Sequence, residues 1–210
     1  SRIRLVLLVT GATYRHPSVF AAQAMTVDHA SHGRLELSLG AAWFDKEHTE
    51  LGIPFPELRD RVNAFEEAVQ IVRGLLTVDG FTFEGEHFSV TDATLHPRPV
   101  QQPHPPIIIG ASPTALHFRH IVEYGDAWMP IEGRFPVDDK WVELQQLAAD
   151  SGRDPASLQL GVFGAKPTSE HLAHLRDLGA SFVALGLPPL DRDAALAALD
   201  TYAPLVAEFN

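Results

Sequence analysis

Residues 33–44 read Gly-Arg-Leu-Glu-Leu-Ser-Leu-Gly-Ala-Ala-Trp-Phe, and residues 7–17 read Leu-Leu-Val-Thr-Gly-Ala-Thr-Tyr-Arg-His-Pro. Each stretch ends an apolar run with small or turn-forming residues. An apolar run that stops at glycine is typical of a buried strand whose backbone reaches an open edge, where a ligand can approach closely. The two stretches therefore predict two buried strands that lead into a binding edge.

Outward from these stretches, apolar runs alternate with amphipathic helical patterns, which is typical of βα units around a parallel sheet. Six such runs are predicted as strands, at residues 3–10, 35–39, 107–109, 127–131, 158–163 and 182–187. Each run is almost entirely apolar, so we expect both faces of the sheet to be covered.

Helical spacing predicts the elements between the strands. The clearest apolar stripe, with steps of three and four residues, is Val62, Phe65, Val69, Val72 and Leu76. Weaker stripes of the same kind are Leu172, Leu175, Leu178, Leu196, Leu199 and Val206. Ser112 followed by Pro113 predicts a helix N-cap, whereas Ser151-Gly152 and Leu178-Gly179 predict helix ends.

We expect one domain over residues 1–210, with an excursion at residues 77–106 that is rich in Pro, His and Gly and holds a small hairpin around Glu84-Gly85. Six strands do not close a barrel of eight. An open doubly wound sheet is the alternative, but it needs a glycine-rich turn after its first strand, and residues 10–16 carry no such fingerprint.

Composition narrows the functional classes. The formal net charge of −11 disfavours nucleic acid and anionic membranes as partners. There is no cysteine, which excludes disulfides and thiolate metal sites and fits a cytoplasmic location. No run is long enough to span a membrane and no signal peptide is evident. The chain enters a strand without a starting Met, so we expect it to continue a longer sequence.

Motifs along the whole chain resemble those of one family. Besides the two opening stretches, they are Gly-Ile-Pro-Phe-Pro at residues 52–56, Phe-Glu-Gly-Glu-His-Phe at 83–88, the run 97–110, and Tyr-Gly-Asp-Ala-Trp at 124–128. As a set they resemble the luciferase-like monooxygenases. That family comprises TIM-barrel oxidoreductases that use FMN or the deazaflavin coenzyme F-420.

The resemblance implies an α/β fold, a TIM barrel of the bacterial-luciferase type. The present chain corresponds to barrel strands three to eight, and the first two βα units are absent. It further implies a small-molecule substrate and a homodimer. Because the missing units carry residues at the reactive face of the cofactor, no catalytic residue is named.

The turn Gly110-Ala111-Ser112 lies between a predicted strand and a predicted helix, where free N–H groups and the helix dipole favour an anion. The alternative is an ordinary βα loop without a ligand. The resemblance implies that this turn holds the cofactor phosphate. It also implies that Leu7, Leu8, Val9 and Thr10 form a bulged strand, with a cis peptide that does not involve proline, behind the cofactor ring.

Gly40 and Ala41 leave room for a flat ring or a phosphate tail. Bacterial luciferases resemble this turn but place a phosphate-binding arginine where Ala41 stands, which favours the deazaflavin over FMN. Deazaflavin-dependent members have glycine in place of Ala42. Trp43 and Phe44 either line the pocket or form a rim cluster. The ionisable residues nearest this rim are Asp45, Glu47 and His48, for which a proton-donating role competes with a solvated loop.

The sequence thus predicts a luciferase-like oxidoreductase that uses coenzyme F-420 for hydride transfer or monooxygenation on a small organic substrate. Two alternatives stay open. One is a two-component monooxygenase that uses reduced FMN, and the other is a non-catalytic barrel remnant that binds flavin or a partner. His117 with His120, and His171 with His174, share helix faces without a carboxylate at metal spacing, so no metal site is expected.

Overall fold

A computed structural model describes residues 3–187, 189 and 191–209. The nine strands found there are β1 Leu5–Val6, β2 Thr10–Gly11, β3 Leu35–Gly40, β4 Phe81–Glu84, β5 Ser89–Ala93, β6 Ile107–Ile109, β7 Ala127–Trp128, β8 Gln159–Phe163 and β9 Ala180–Ala184. The helices are α1 Pro17–Ser31, α2 Asp45–Leu51, α3 Leu58–Thr77, α4 Ala115–Tyr124, α5 Val137–Asp150, α6 Ser169–Leu178 and α7 Arg192–Phe209, with a 3₁₀ turn at Pro155–Ser157.

The main sheet is parallel throughout and follows the order β1-β3-β6-β7-β8-β9, with β2 also paired to β3. Chain order and sheet order therefore agree, and a helix follows most strands, as the alternating pattern predicted. The result is a curled half-barrel of α/β type, in which the carboxyl ends of all main strands meet at one edge.

The core lies between the sheet and its helices. The α3 stripe is confirmed, because Val62, Phe65, Val69, Val72 and Leu76 are all buried. They pack into one apolar cluster with the central strands, in which Ile107, Ile108 and Ile109 are almost fully enclosed.

The first predicted strand, residues 3–10, is wrong as a continuous element. It is divided into β1 and β2, and the Leu8–Val9 peptide between them is cis, as the resemblance implied. The expectation that both faces are covered also fails here, since Leu5, Val6, Leu7 and Leu8 are 36–46% exposed. These side chains are exposed because β1 is the outermost strand of the described sheet.

Three other boundaries differ from the prediction. β7 ends at Trp128 rather than at residue 131, although Ile131 makes an isolated parallel bridge to Phe163. β9 starts at Ala180 and ends at Ala184, earlier than the predicted 182–187. Helix α4 begins at Ala115 with Thr114 as its N-cap, so the cap predicted at Ser112 is wrong. The Thr114 side chain accepts the His117 amide, and the chain needs two further residues to turn after β6.

Residues 78–106 contain no helix, and their strands β4 and β5 pair as an antiparallel hairpin. The carboxylate of Glu67 on α3 holds its turn by accepting the amides of Glu86, His87 and Phe88 at 2.8–2.9 Å. The predicted helix ends at Ser151 and Gly179 are also confirmed.

The last helix, α7, departs from the predicted buried stripe. Leu196, Leu199 and Val206 are 43–50% exposed, whereas Leu172 and Leu175 on α6 are buried. Helical periodicity identifies which residues share a face, but only a packing partner can bury that face. Among the described residues, none of the helices combines the length and apolar character that a membrane span requires.

Candidate functional site

A cavity of about 510 Å³ opens at the carboxyl edge of the parallel strands. Its walls come from the segments that directly follow β2, β3, β6, β7 and β8 and from the first turns of α3 and α4. Ligand sites in barrels and open parallel sheets are built at this edge, because the strand ends deliver loops there while the helices cover the sheet faces. The size is typical of a small-molecule or cofactor pocket.

Seven of the nine residues predicted to bind a cofactor line this cavity: Leu8, Val9, Gly40, Ala41, Gly110, Ala111 and Ser112. The other two do not line it. Leu7 faces an outer groove between β1 and α1, and Thr10 is buried in the ladder opposite Leu39. The chain bends at Leu8, between β1 and β2, which separates Leu7 from Leu8. The cofactor-binding role of all nine stays a prediction.

Val9 and two glycines make a close contact at the base of the cavity. A Cβ on Gly110 would lie 2.7 Å from Val9 Cγ1, and a Cβ on Gly40 would lie 3.0 Å from Val9 Cγ2 and from the Gly110 carbonyl oxygen. Glycine is required at these positions because the three strand ends approach too closely for a side chain. At positions 40 and 110 the cavity wall is therefore formed by backbone beside the Val9 side chain.

The turn after β6 is only partly the anion site that the sequence predicts. The Gly110 amide is used within the sheet, since it donates to the Leu39 carbonyl oxygen at 3.0 Å. The amides of Ala111 and Ser112 have no acceptor among the described residues. The indole N–H of Trp128 donates to the Ala111 carbonyl oxygen at 3.0 Å and holds the turn from the buried side. Two amides, rather than three, are thus left for an anion.

The turn after β3 carries an unusual backbone. Ala42 has a φ of 62°, in the left-handed region that favours glycine. This is the position where deazaflavin-dependent members have glycine. Beyond it, Trp43 and Phe44 line the cavity, with Trp43 68% exposed and the Arg134 guanidinium 5.4 Å from its ring centre. Trp43 and Phe44 therefore both line the pocket and lie at its exposed rim.

A polar cluster closes one side of the cavity, and it corrects the solvated-loop interpretation of residues 45–48. Glu47 accepts a hydrogen bond of 2.5 Å from the Tyr14 hydroxyl, and this carboxylate raises the pKa of Tyr14 to about 12. His48 is fully buried, with its ring nitrogens 2.7 Å from Thr13 Oγ1 and 2.8 Å from the Phe44 carbonyl oxygen. Of the three ionisable residues predicted at this rim, Asp45 alone is exposed, because helix α2 turns Glu47 and His48 inward.

Sequence reasoning did not place three charged or titratable residues in the cavity wall: Arg61, His117 and Arg134. Arg61 is 9% exposed, and its guanidinium stacks 3.7 Å from the centre of the Phe55 ring. A signal was available, because Arg61 lies one helical turn before Phe65 and so falls on the buried stripe of α3. His117 Nδ1 lies 3.0 Å from the Ser112 carbonyl oxygen.

Histidines of the two pairs contact separate carboxylates, and His174 Nε2 lies 2.9 Å from Asp138. His120 Nε2 lies 3.3 Å from Glu66, and His171 Nε2 lies 3.0 Å from Glu132. Within each pair the ring centres are 6.2–6.3 Å apart. In the described part of the chain, no three His, Asp or Glu side chains come together as a metal-binding group.

Comparison with known proteins places this site in context. A family model described as luciferase-like monooxygenase matches residues 1–184. The uncharacterized protein Rv0953c of Mycobacterium tuberculosis is 31% identical over 207 residues, which is 99% of this chain and 72% of that protein.

Two functionally named relatives match over shorter stretches. The FMNH(2)-dependent dimethylsulfone monooxygenase of Pseudomonas putida is 35% identical over 146 residues, covering 70% of this chain and 39% of that one. The F420-dependent glucose-6-phosphate dehydrogenase of Kineococcus radiotolerans is 32% identical over 135 residues, which is 64% of this chain and 39% of that protein.

Among solved structures, monooxygenase RslO1 from Streptomyces bottropensis superimposes with a TM-score of 0.78 at 19% identity. The superposition covers 99% of this chain and 78% of that one, and at this identity it supports the fold alone. The family match extends over most of the chain, including every strand that contributes to the cavity. The chain therefore belongs to the luciferase-like monooxygenase family.

Proposed function

We propose that this protein is an oxidoreductase that binds a deazaflavin, coenzyme F-420, in the cavity at the carboxyl edge of the sheet and acts on a small organic substrate. The single observation that carries the proposal is the composition of this cavity. Glycines and aliphatic side chains line it beside a turn in which two amides have no acceptor among the described residues, which suits a ring joined to a phosphate. The relatives named above include both a deazaflavin-dependent and a reduced-FMN-dependent enzyme.

The finer description of the fold is part of the same proposal. We interpret β1 with β2, then β3, β6, β7, β8 and β9, as the third to eighth strands of a TIM barrel. The consecutive parallel order of the strands and the superposition on a monooxygenase over 99% of the chain support this interpretation. The homodimer and the cytoplasmic location expected from the sequence belong to the proposal as well.

The residues present divide into a ring site and a phosphate site. Leu8, Val9 and the glycines at 40 and 110 would support the ring, since a Cβ at either glycine would crowd Val9. The amides of Ala111 and Ser112 would donate to a phosphate. When bound, such a cofactor supplies hydride transfer or, with oxygen, monooxygenation.

The chain's own groups would orient the substrate and hold a proton. Tyr14 is protonated at neutral pH, as tyrosines ordinarily are, and the hydrogen bond to Glu47 raises its pKa further, to about 12. The hydroxyl therefore keeps donating to the carboxylate, which fixes the Glu47 side chain at the cavity wall. Trp43 and Phe44 would cover the open side and limit access of water to the ring.

Equilibrium titration of the protein with coenzyme F-420 and with FMN, followed by fluorescence, tests the proposal. We expect tighter binding of the deazaflavin, because Ala41 stands where luciferases place a phosphate-binding arginine. Ala111→Asp should weaken binding by about tenfold or more through charge repulsion at the turn. The control Ala197→Asp, on the exposed face of α7, should leave binding unchanged.

The outcomes separate the alternatives. Tighter binding of FMN would replace the deazaflavin with the second candidate, a monooxygenase that uses reduced FMN, as the Pseudomonas putida relative does by its name. Failure of both cofactors to bind would overturn the proposed function. Unchanged affinity of Ala111→Asp would remove the phosphate from this turn.

A further inference from the structure

Arg61 is a buried cation without an anionic partner. The side chain is 9% exposed, and Nη1 donates to the Pro56 carbonyl oxygen at 2.5 Å. Nε is enclosed and has no hydrogen-bond partner, and no carboxylate of the described residues forms an ion pair with the guanidinium. Burying a charge and leaving a donor unsatisfied both oppose folding, unless a ligand supplies the missing acceptor.

The position of Arg61 shows where such an acceptor could lie. The side chain lines the same cavity as the Ala111–Ser112 turn, and the face of its guanidinium is occupied by the Phe55 ring. Stacking on an aromatic face fixes the plane of an arginine and leaves its edge for hydrogen bonding. Because Nη1 is used by Pro56 and Nε is enclosed, Nη2 is the donor that an oxyanion in the cavity could reach, through a charge-assisted N–H bond.

The charges on the cavity wall also favour an anionic ligand. The chain has 27 acidic and 16 basic residues, yet two arginines, Arg61 and Arg134, line the cavity with a single carboxylate. That carboxylate, Glu47, is engaged by the Tyr14 hydroxyl. An acidic chain thus presents a locally cationic cavity, which concentrates anions there.

We propose that Arg61 is an oxyanion-binding residue, and that the ligand of this cavity carries a phosphate, sulfonate or carboxylate group which the Arg61 guanidinium recognises. This inference rests on the proposed function for its site and adds the chemical class of the ligand. The oxyanion can belong to the cofactor or to the substrate. Arg61 enters from helix α3 rather than from the turn after β3, where luciferases place their phosphate-binding arginine and this chain has Ala41.

The first test measures binding of inorganic phosphate to the full 210-residue chain by calorimetry. Phosphate should bind with one-to-one stoichiometry, and Arg61→Met should weaken it by about tenfold or more, because a charge-assisted hydrogen bond is lost. Arg59→Met is the matched control, because Arg59 is exposed on the same helical turn and does not line the cavity. Arg61→Lys, which keeps the charge, should retain part of the affinity.

A melting experiment separates ligand binding from a structural role. In phosphate-free buffer Arg61→Met should melt no lower than the wild type, since it removes an unpaired buried charge and keeps the apolar stem. Adding phosphate should raise the melting temperature of the wild type but not that of the variant. A variant that melts lower without phosphate and gains as much as the wild type from phosphate would overturn the proposal, as would equal phosphate affinity of the two proteins.

A second pair of probes identifies the source of the oxyanion. FMN and riboflavin differ only in a phosphate. If Arg61→Met abolishes a preference for FMN, the oxyanion is the cofactor phosphate. If the preference persists and methanesulfonate binding to the FMN-loaded protein is lost, the oxyanion belongs to the substrate. Arg61-dependent phosphate binding without any flavin or deazaflavin binding would support this inference while overturning the proposed function.

Discussion

Leu5 and Leu35 are direct partners in one parallel ladder, yet Leu35 is 5% exposed and Leu5 is 40% exposed. The residue type is the same and both belong to apolar strands. They differ in their neighbours, since β3 lies between β1 and β6 under helices α1 and α3, whereas β1 has no strand on its far side among the described residues. Apolar composition therefore predicts a strand, but the place of that strand in the sheet decides how much its side chains stabilise the fold.

The largest expected change in stability tests the difference between Leu5 and Leu35. Leu35→Ala should lower the free energy of unfolding by about 3 kcal/mol, because it removes enclosed methyl groups and leaves a cavity. Leu5→Ala should cost less than about 1 kcal/mol, because its side chain is already partly in water. Denaturant titration of both variants measures the difference. Equal costs would break the comparison and show that β1 is covered in solution.

A second pair of variants compares the regular end of β3 with the turn that follows it. Gly40→Ala should destabilise by about 1–2 kcal/mol, since its Cβ would lie 3.0 Å from the Gly110 carbonyl oxygen and from Val9 Cγ2. Ala42→Gly should stabilise by about 0.5–1 kcal/mol, because it relieves a φ of 62°. Thermal melting of the two variants should show opposite shifts. A loss of stability in Ala42→Gly would mean that the side chain of Ala42 contributes more than its backbone costs.

The smallest effect is a pH dependence that distinguishes an interior histidine from a surface one. Burial lowers the pKa of His120 below its usual 6.5, a shift that Glu66 opposes and that His117 and Arg119 assist. The unfolded chain therefore takes up the proton first as the pH falls. The resulting contribution to stability is complete above pH 6.5 and is lost as the pH drops from 6.5 through the folded-state pKa.

Unfolding free energies measured between pH 5 and pH 7 test this dependence. The wild type should lose stability toward acid more steeply than His120→Gln, by at most about 1.4 kcal/mol per pH unit for one proton. His174→Gln is the control, because His174 is half exposed on α6. If the unfolding free energies of the wild type and of His120→Gln change with pH in parallel, burial of His120 does not cause the loss of stability toward acid.

Much of the secondary structure followed from local patterns. The six apolar runs correspond to the main parallel strands, and the 62–76 stripe is buried as its spacing requires. The hairpin at residues 81–93 also follows from its turn residues. The errors lie at element ends, such as the helix start at Ala115 instead of the residues after Ser112, because a cap depends on which side chain reaches an amide.

The candidate site was predictable only in part. Glycines that end apolar runs pointed to residues 40 and 110, and the structure brings both against Val9. Arg61 was not identified, since a lone arginine on an amphipathic helix is ordinarily at the surface. The sequence left His48 open between a proton-donating role and a solvated loop, and the structure buries it with its ring nitrogens against Thr13 and Phe44. The contact with Thr13 joins residues that are distant in sequence and has no signature in local spacing.

The sequence by itself determined the alternation of strands and helices and the parallel sheet, because apolar periodicity and turn residues act over a few neighbouring positions. The resemblance of its motifs indicated the family. Only the tertiary structure decided which faces are buried and which residues share the cavity. It separated Leu5 from Leu35, exposed α7, and left Arg61 enclosed without an anionic partner. Burial and pairing depend on groups that are distant in sequence, so they are set by packing rather than by local pattern.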